Sequence, residues 1–111
     1  FEGAQEQNFK VLSVDVNRCV NAPGFVIDNT LKGVDAALLN SVDAIMNGAK
    51  SSVSSVGLKE GGMSVMALNE EELSTSQCLV AHEPEVIAKL RDVAGQIISG
   101  SLELSDPMFT Q

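Results

Sequence analysis

The apolar positions of the chain fall into two kinds of run. Short, nearly continuous runs read as strands, and longer runs spaced at three, four and seven residues read as helices. Val11-Leu12-Ser13-Val14 is of the first kind. With Phe9 it predicts a strand over Phe9–Val14 covered on both faces, which delivers Asp15 and Asn17 at its C-terminal end. A loop over Asn17–Pro23 and a turn at Pro23-Gly24 lead to a second apolar run, Phe25–Leu31. That run ends at Lys32 and is interrupted by Asp28 and Asn29. Val34, Ala37, Leu38, Val42, Ile45 and Met46 then predict a helix over Val34–Asn47 with one buried face. Gly48 stands where a left-handed C-terminal cap belongs.

The flanking segments are plainer. Phe1–Asn8 is polar, rich in helix formers and reads as the end of a helix, with Asn8 at its exit. Val53 and Val56 alternate with serines and predict a half-exposed strand in the stretch from Lys50. The three glycines of Gly57–Gly62 predict a turn, and Met63–Leu68 a strand beyond it, together a β-hairpin or a strand-turn-strand crossing. Asn69–Glu72 reads as a solvated helix start, and Leu73–His82 carries no clear period. Pro84 at a first-turn position opens the last helix. Its stripe is Val86, Ile87, Leu90, Val93, Ala94, Ile97 and Ile98, and Gly100 ends it. Leu102–Leu104 is expected as a short closing strand, with a tail over residues 105–111.

Length and composition narrow the function classes. A chain of 111 residues, 44% hydrophobic and without a long apolar run, supports a single domain with a modest core or a piece of a larger one, and the runs above make it α/β. The net charge of −8 argues against nucleic-acid binding, which needs cations to neutralise phosphates, and against attachment to anionic lipid. With four Phe and neither Trp nor Tyr, few side chains suit stacking on a base. Cys19 and Cys78 carry no framework or metal-ligand spacing. Buried free thiols are therefore preferred to a disulfide, which would imply an oxidising compartment.

The enzymatic case is thin. No nucleophile elbow, P-loop, dinucleotide fingerprint or zinc-protease motif is present. The single histidine, His82, lacks an evident partner and reads as a surface or capping residue, which also leaves Cys19 without a base. The four methionines read as core filler. Asp15, Asn17 and Lys32 offer more. A carboxylate can accept two hydrogen bonds from a ribose diol, and a lysine can donate to the same hydroxyls while offsetting the charge. Carboxyl ends of neighbouring strands are where open α/β sheets hold small ligands. The competing reading is that Asp15 caps a turn and Lys32 is a solvated charge; on spacing alone it carries more weight, because D-x-N after a strand is common turn chemistry.

A resemblance changes that weighting. VLSVDVN, APGFVIDNTLKGVDAALLNSVDAIMNG, VGLKEGGMSVMAL and PEVIAKLRDVAGQIISGSLEL occur in this order. They resemble the C-terminal part of the basic membrane protein family, substrate-binding lipoproteins of ABC transporters related to the purine nucleoside receptor. That family shows a strand ending in G-V-D-x-D-Q, then S-x-x-K-x-V-D leading into a helix, then a G-L-K-D-G-G-V hairpin and a final helix. The resemblance spans Gly3–Leu104 and implies part of a type I periplasmic-binding-protein-like fold: a C-terminal lobe fragment with hinge-crossing strands. It further implies a purine nucleoside or related ribosyl ligand in an interlobe cleft, with Asp15 and Lys32 on the ribose and Asn17 beside them. The sequence departs from the pattern at Asn17, Arg18, Asn29 and Glu60, and the stretch Glu71–His82 is longer than the family's connection.

On this reading residues 1–111 are one segment of a larger protein. The first lobe, the base-stacking aromatics and a lipid-anchored cysteine are expected to precede Phe1, and permease subunits to be the partners. The protein is then extracytoplasmic, touches the membrane only through that anchor, and uses neither cofactor nor catalytic residue. By itself the segment is expected to bind a nucleoside weakly or not at all. Two other classes stay open: a ligand sensor or regulator that uses the fold without transport, and an enzyme such as a nucleoside hydrolase. The enzyme would need a carboxylate cluster that the sequence does not display. Fold analogy by itself does not choose among them.

Overall fold

The computed structural model describes residues 1–50 and 54–105. It is a small α/β structure with three α-helices and one three-stranded mixed sheet. In chain order come helix α1 (Glu2–Gln7), strand β1 (Val11–Asp15), strand β2 (Val26–Lys32) and helix α2 (Val34–Met46). Strand β3 (Met63–Val65) and helix α3 (Pro84–Ser99) follow. Single turns of 3₁₀ helix occupy Cys19–Asn21, Met66–Leu68, Leu73–Thr75 and Leu79–His82.

The sheet order is β1-β2-β3. β1 runs parallel to β2, with Ser13 beside Asn29 and Asp15 beside Leu31, and β3 runs antiparallel to β2 with Met63 beside Lys32. Asn8 adopts the left-handed conformation at the end of α1, as its place in the sequence predicts, and the Phe9 N–H closes onto the Ala4 carbonyl. That bond starts β1 at Val11 instead of Phe9. The Pro23-Gly24 turn is a β-turn in which the Phe25 N–H reaches the Ala22 carbonyl and Gly24 takes a φ of 80°.

The core lies between β2, the 3₁₀ turns and α3. Cys19, Ala22, Val26, Met66, Ala67, Cys78, Val80 and Ile87 pack together, with Leu31, Val65, Leu73 and Leu90 at the edge. Burying a side chain such as Val26 or Met66 contributes about 1.5–3 kcal/mol. α3 matches its sequence signals: Pro84 sits in the first turn, Gly100 caps the end at a φ of 78°, and Ile87 and Ala94 face inward. Val86, Val93 and Ile98 of the same stripe are exposed.

Several expectations are corrected. The apolar face of α2 is not buried: no residue of the helix is, and Leu38 is 63% exposed. Periodicity reports that a helix is amphipathic, not what covers it, and no described element packs along this one. β1 is likewise open on one face, where Leu12 is 72% and Val14 53% exposed. Met63–Leu68 is a strand only to Val65, because the chain turns into the 3₁₀ helix at Met66, where the Asp28 carboxylate accepts the backbone N–H of Ala67. Asn69–Glu72 does not start an α-helix. The Asn69 side chain accepts the Glu72 N–H and turns the chain into the 3₁₀ turn at Leu73.

Residues 102–104 form no strand. The Leu102 N–H bonds to the Gln96 carbonyl, folding that segment back onto the end of α3. Ser54–Val56 has no strand either, and β3 pairs with β2, so the hairpin is not formed among the described residues. Val53 and the tail from residue 106, including Met108, lie outside them. Met66 is core, whereas Met46 stands in solvent. No helix among the described residues is long and apolar enough to cross a membrane.

Candidate functional site

Asp15 closes β1 and Lys32 closes β2, at the carboxyl ends of two adjacent parallel strands. The register brings them together. Lys32 Nζ lies 2.6 Å from Asp15 Oδ1, with half of each side chain exposed to solvent. The lysine hydrogen bond, and then its charge, hold the Asp15 carboxyl below the usual carboxylate range. An ion pair this exposed adds little to stability. What it provides is a fixed carboxylate and a fixed ammonium side by side, both open to a polar ligand.

Two backbone features hold the pair. Asp15 has a φ of 81°, in the left-handed region that residues other than glycine seldom occupy. On the other side, Gly33 follows Lys32 and lies against the Gly61 carbonyl, while its N–H bonds to the Gly62 carbonyl at 2.9 Å. A Cβ at Gly33 would collide with Gly61, so the exit of β2 depends on glycine there.

Asn17 is close by but is used differently from the sequence-based expectation. Its Oδ1 accepts the Cys19 N–H at 3.0 Å and its Nδ2 donates to the Ser76 carbonyl at 3.2 Å. Both polar ends of the amide are therefore engaged within the chain. Arg18 donates its backbone N–H to Asn29 Oδ1 at 3.0 Å.

Cys19 and Cys78 form a disulfide, which corrects the preference for free thiols. Their Cα atoms are 5.0 Å apart across a sequence separation of 59 residues. The long-range fold makes the pairing, and no local spacing announces it. Both sulfurs are buried, and Asn29 Nδ2 donates to Cys19 Sγ at 2.9 Å and to Cys78 Sγ at 3.2 Å. The disulfide fits an oxidising, extracytoplasmic setting. Asn29 and Ser76 are the residues of this cluster that sequence reasoning passed over. The one signal was a pair of polar residues, Asp28 and Asn29, inside an apolar strand.

Asp28 is the second buried polar group of β2. Its Oδ1 accepts the Asn29 N–H at 2.7 Å and its Oδ2 the Ala67 N–H at 3.4 Å. Burial raises its pKa, and the N–H groups of Asn29, Ala67 and Met66 partly oppose this. It faces no cation within hydrogen-bond reach among the described residues, and its work is to cap the 3₁₀ turn at Met66.

An open groove lies beside α2, lined by Asn40, Ser41, Ile45, Lys50, Val56 and Glu60, and contains neither Asp15 nor Lys32. His82 is exposed at the end of its 3₁₀ turn. No cluster of three or more metal-ligating side chains occurs among the described residues. Comparison with models of known protein families, with curated proteins and with solved structures found no match to this chain.

Proposed function

We propose that the protein is an extracytoplasmic substrate-binding component of an ABC transporter, and that it binds a purine nucleoside or related ribosyl ligand without chemical change. The observation that carries this reading is the Asp15–Lys32 pair at the carboxyl ends of β1 and β2. A carboxylate beside an ammonium suits a vicinal diol: the carboxylate accepts a hydrogen bond from each hydroxyl, and the cation donates to the hydroxyl oxygens while balancing the charge. The strand ends of an α/β sheet are a usual seat for such ligands.

Two further observations support it. The Cys19–Cys78 disulfide suits a protein working outside the reducing cytosol, as a binding component that hands its ligand to permease subunits does. Half of each side chain of the pair is open to solvent, and so are the apolar faces of β1 and α2. The reading therefore calls for a first lobe of the same protein to close the cleft over the ligand.

The test is a thermal-shift panel of nucleosides, bases and free sugars on the protein together with its upstream segment. A ligand selective for the folded state raises the melting temperature by mass action. The reading expects a shift with nucleosides that vanishes in Asp15→Asn. A well-folded sample that responds to no nucleoside overturns it.

A further inference from the structure

Asn29, the Cys19–Cys78 bond, Asn17 and Ser76 form one connected set of hydrogen bonds that begins two residues beyond Asp15. Asn29 is fully buried in β2, and every polar atom of its side chain is occupied. Nδ2 donates to both sulfurs, at 2.9 and 3.2 Å, and Oδ1 accepts the Arg18 N–H at 3.0 Å. Asn17 joins the Cys19 N–H to the Ser76 carbonyl, and Ser76 Oγ accepts the Cys78 N–H at 3.2 Å. The chain at residues 17–19 is thus tied both to β2 and to the segment at Ser76–Cys78.

Asp15 stands two residues before these ties, at its positive φ. A residue stays in so sparsely populated a conformation only where its surroundings over-determine it. The sheet supplies one side, through the register of Asp15 with Leu31. The ties at Asn17, Arg18 and Cys19 supply the other. If the second side were released, the chain beyond β1 could relax, and the Asp15 carboxylate would leave its place against Lys32. A buried amide that bonds to Arg18 and Cys19 of that segment and to Cys78, its disulfide partner, is a specific device, since an apolar residue would fill the same space without orienting anything.

The geometry points to Asn29 as a positioning residue for the Asp15–Lys32 pair, acting through the Cys19 and Cys78 sulfurs and the Arg18 amide to fix the chain beyond β1. The inference rests on that pair being the binding site but concerns the free protein. Failure of the nucleoside panel leaves it standing, and its own failure leaves the nucleoside reading standing.

The test follows the Asp15 carboxyl by carbon-detected NMR titration, with the disulfide verified intact by mass after alkylation. Asn29→Ala should move the Asp15 midpoint upward, toward the ordinary carboxylate value, and Lys32→Ala should do the same. Combining the two should move it no further, because both remove one contact. A core control that also lowers the melting temperature, Ile87→Val, should leave the midpoint in place. Should Asn29→Ala fail to fold, Asn29→Ser is titrated instead and read in the same way. An Asn29 variant that melts lower but keeps the wild-type Asp15 midpoint overturns the proposal and makes Asn29 a core residue alone.

Discussion

Lys32 meets Asp15 across the ends of two parallel strands, 2.6 Å from nitrogen to oxygen. The contact joins a strained backbone position to a strand end that only glycine can follow, since Asp15 carries a φ of 81° and Gly33 abuts Gly61. Geometry this constrained for an ion pair this exposed is better explained by what the pair presents than by the stability it adds.

Substitutions at Asp15 should separate charge from conformation. Asp15→Asn keeps a side chain that tolerates the left-handed region, and should melt close to wild type while losing the charge pairing with Lys32. Asp15→Ala should melt below Asp15→Gly, because glycine occupies positive φ without a Cβ penalty. Circular-dichroism melts of the three variants check the order. An alanine variant as stable as the glycine one would mean that residue 15 is relaxed.

Opening the disulfide should be costly. The Cys19–Cys78 bond closes a loop with a sequence separation of 59, for which the chain-entropy account gives about 4 kcal/mol. Replacing both cysteines by serine should lower the unfolding free energy in urea by that order. A loss below about 1 kcal/mol would mean that the surrounding hydrogen bonds hold the two segments together without it.

Asp28 should give the stability curve a recognisable pH signature. Its folded-state pKa is raised, chiefly by burial, so between the unfolded and folded midpoints the folded protein holds the extra proton. The stability it contributes is complete below the unfolded midpoint and is lost as pH rises through the folded one. Relative to Asp28→Asn, wild type should therefore lose melting temperature as pH climbs from the acid side toward neutrality. A difference that stays constant with pH would show that Asp28 titrates normally.

The location of the core is testable by truncation. Met66 is 1% exposed, and Met66→Ala should cost about 2–5 kcal/mol. Leu38→Ala, on the open face of α2, should stay within about 0.5 kcal/mol of wild type in the same chain. Urea titrations of both variants decide, and a large loss at Leu38 would show that the face of α2 is packed in solution.

What the sequence made legible was local. Pro84, Gly100 and a seven-residue apolar stripe bounded α3. Two short apolar runs ending in Asp15 and Lys32 placed both groups at strand ends, where the parallel register joins them. What stayed hidden depended on distant partners. Residues 19 and 78 gave no sign of pairing, because their meeting requires β2, α3 and the intervening turns to be in place first. D-x-N after a strand weighed toward turn chemistry on spacing alone, and the Asn17 amide does tie the turn, bonding to Cys19 and Ser76. The strand expected through Leu68 stops at Val65, where the chain enters a 3₁₀ turn and the Ala67 N–H goes to the Asp28 carboxylate on the neighbouring strand.

A helix of 13 residues with no buried residue has little beyond its own backbone hydrogen bonds to hold it, and in water a helix of that length is marginal. α2 is therefore a gauge. Its amide protons should exchange long before those of α3 whenever its apolar stripe is bare, and should slow when a surface seats against Leu38, Val42 and Ile45. Hydrogen exchange at this one helix thus reports, residue by residue, whether any partner surface is in contact with it.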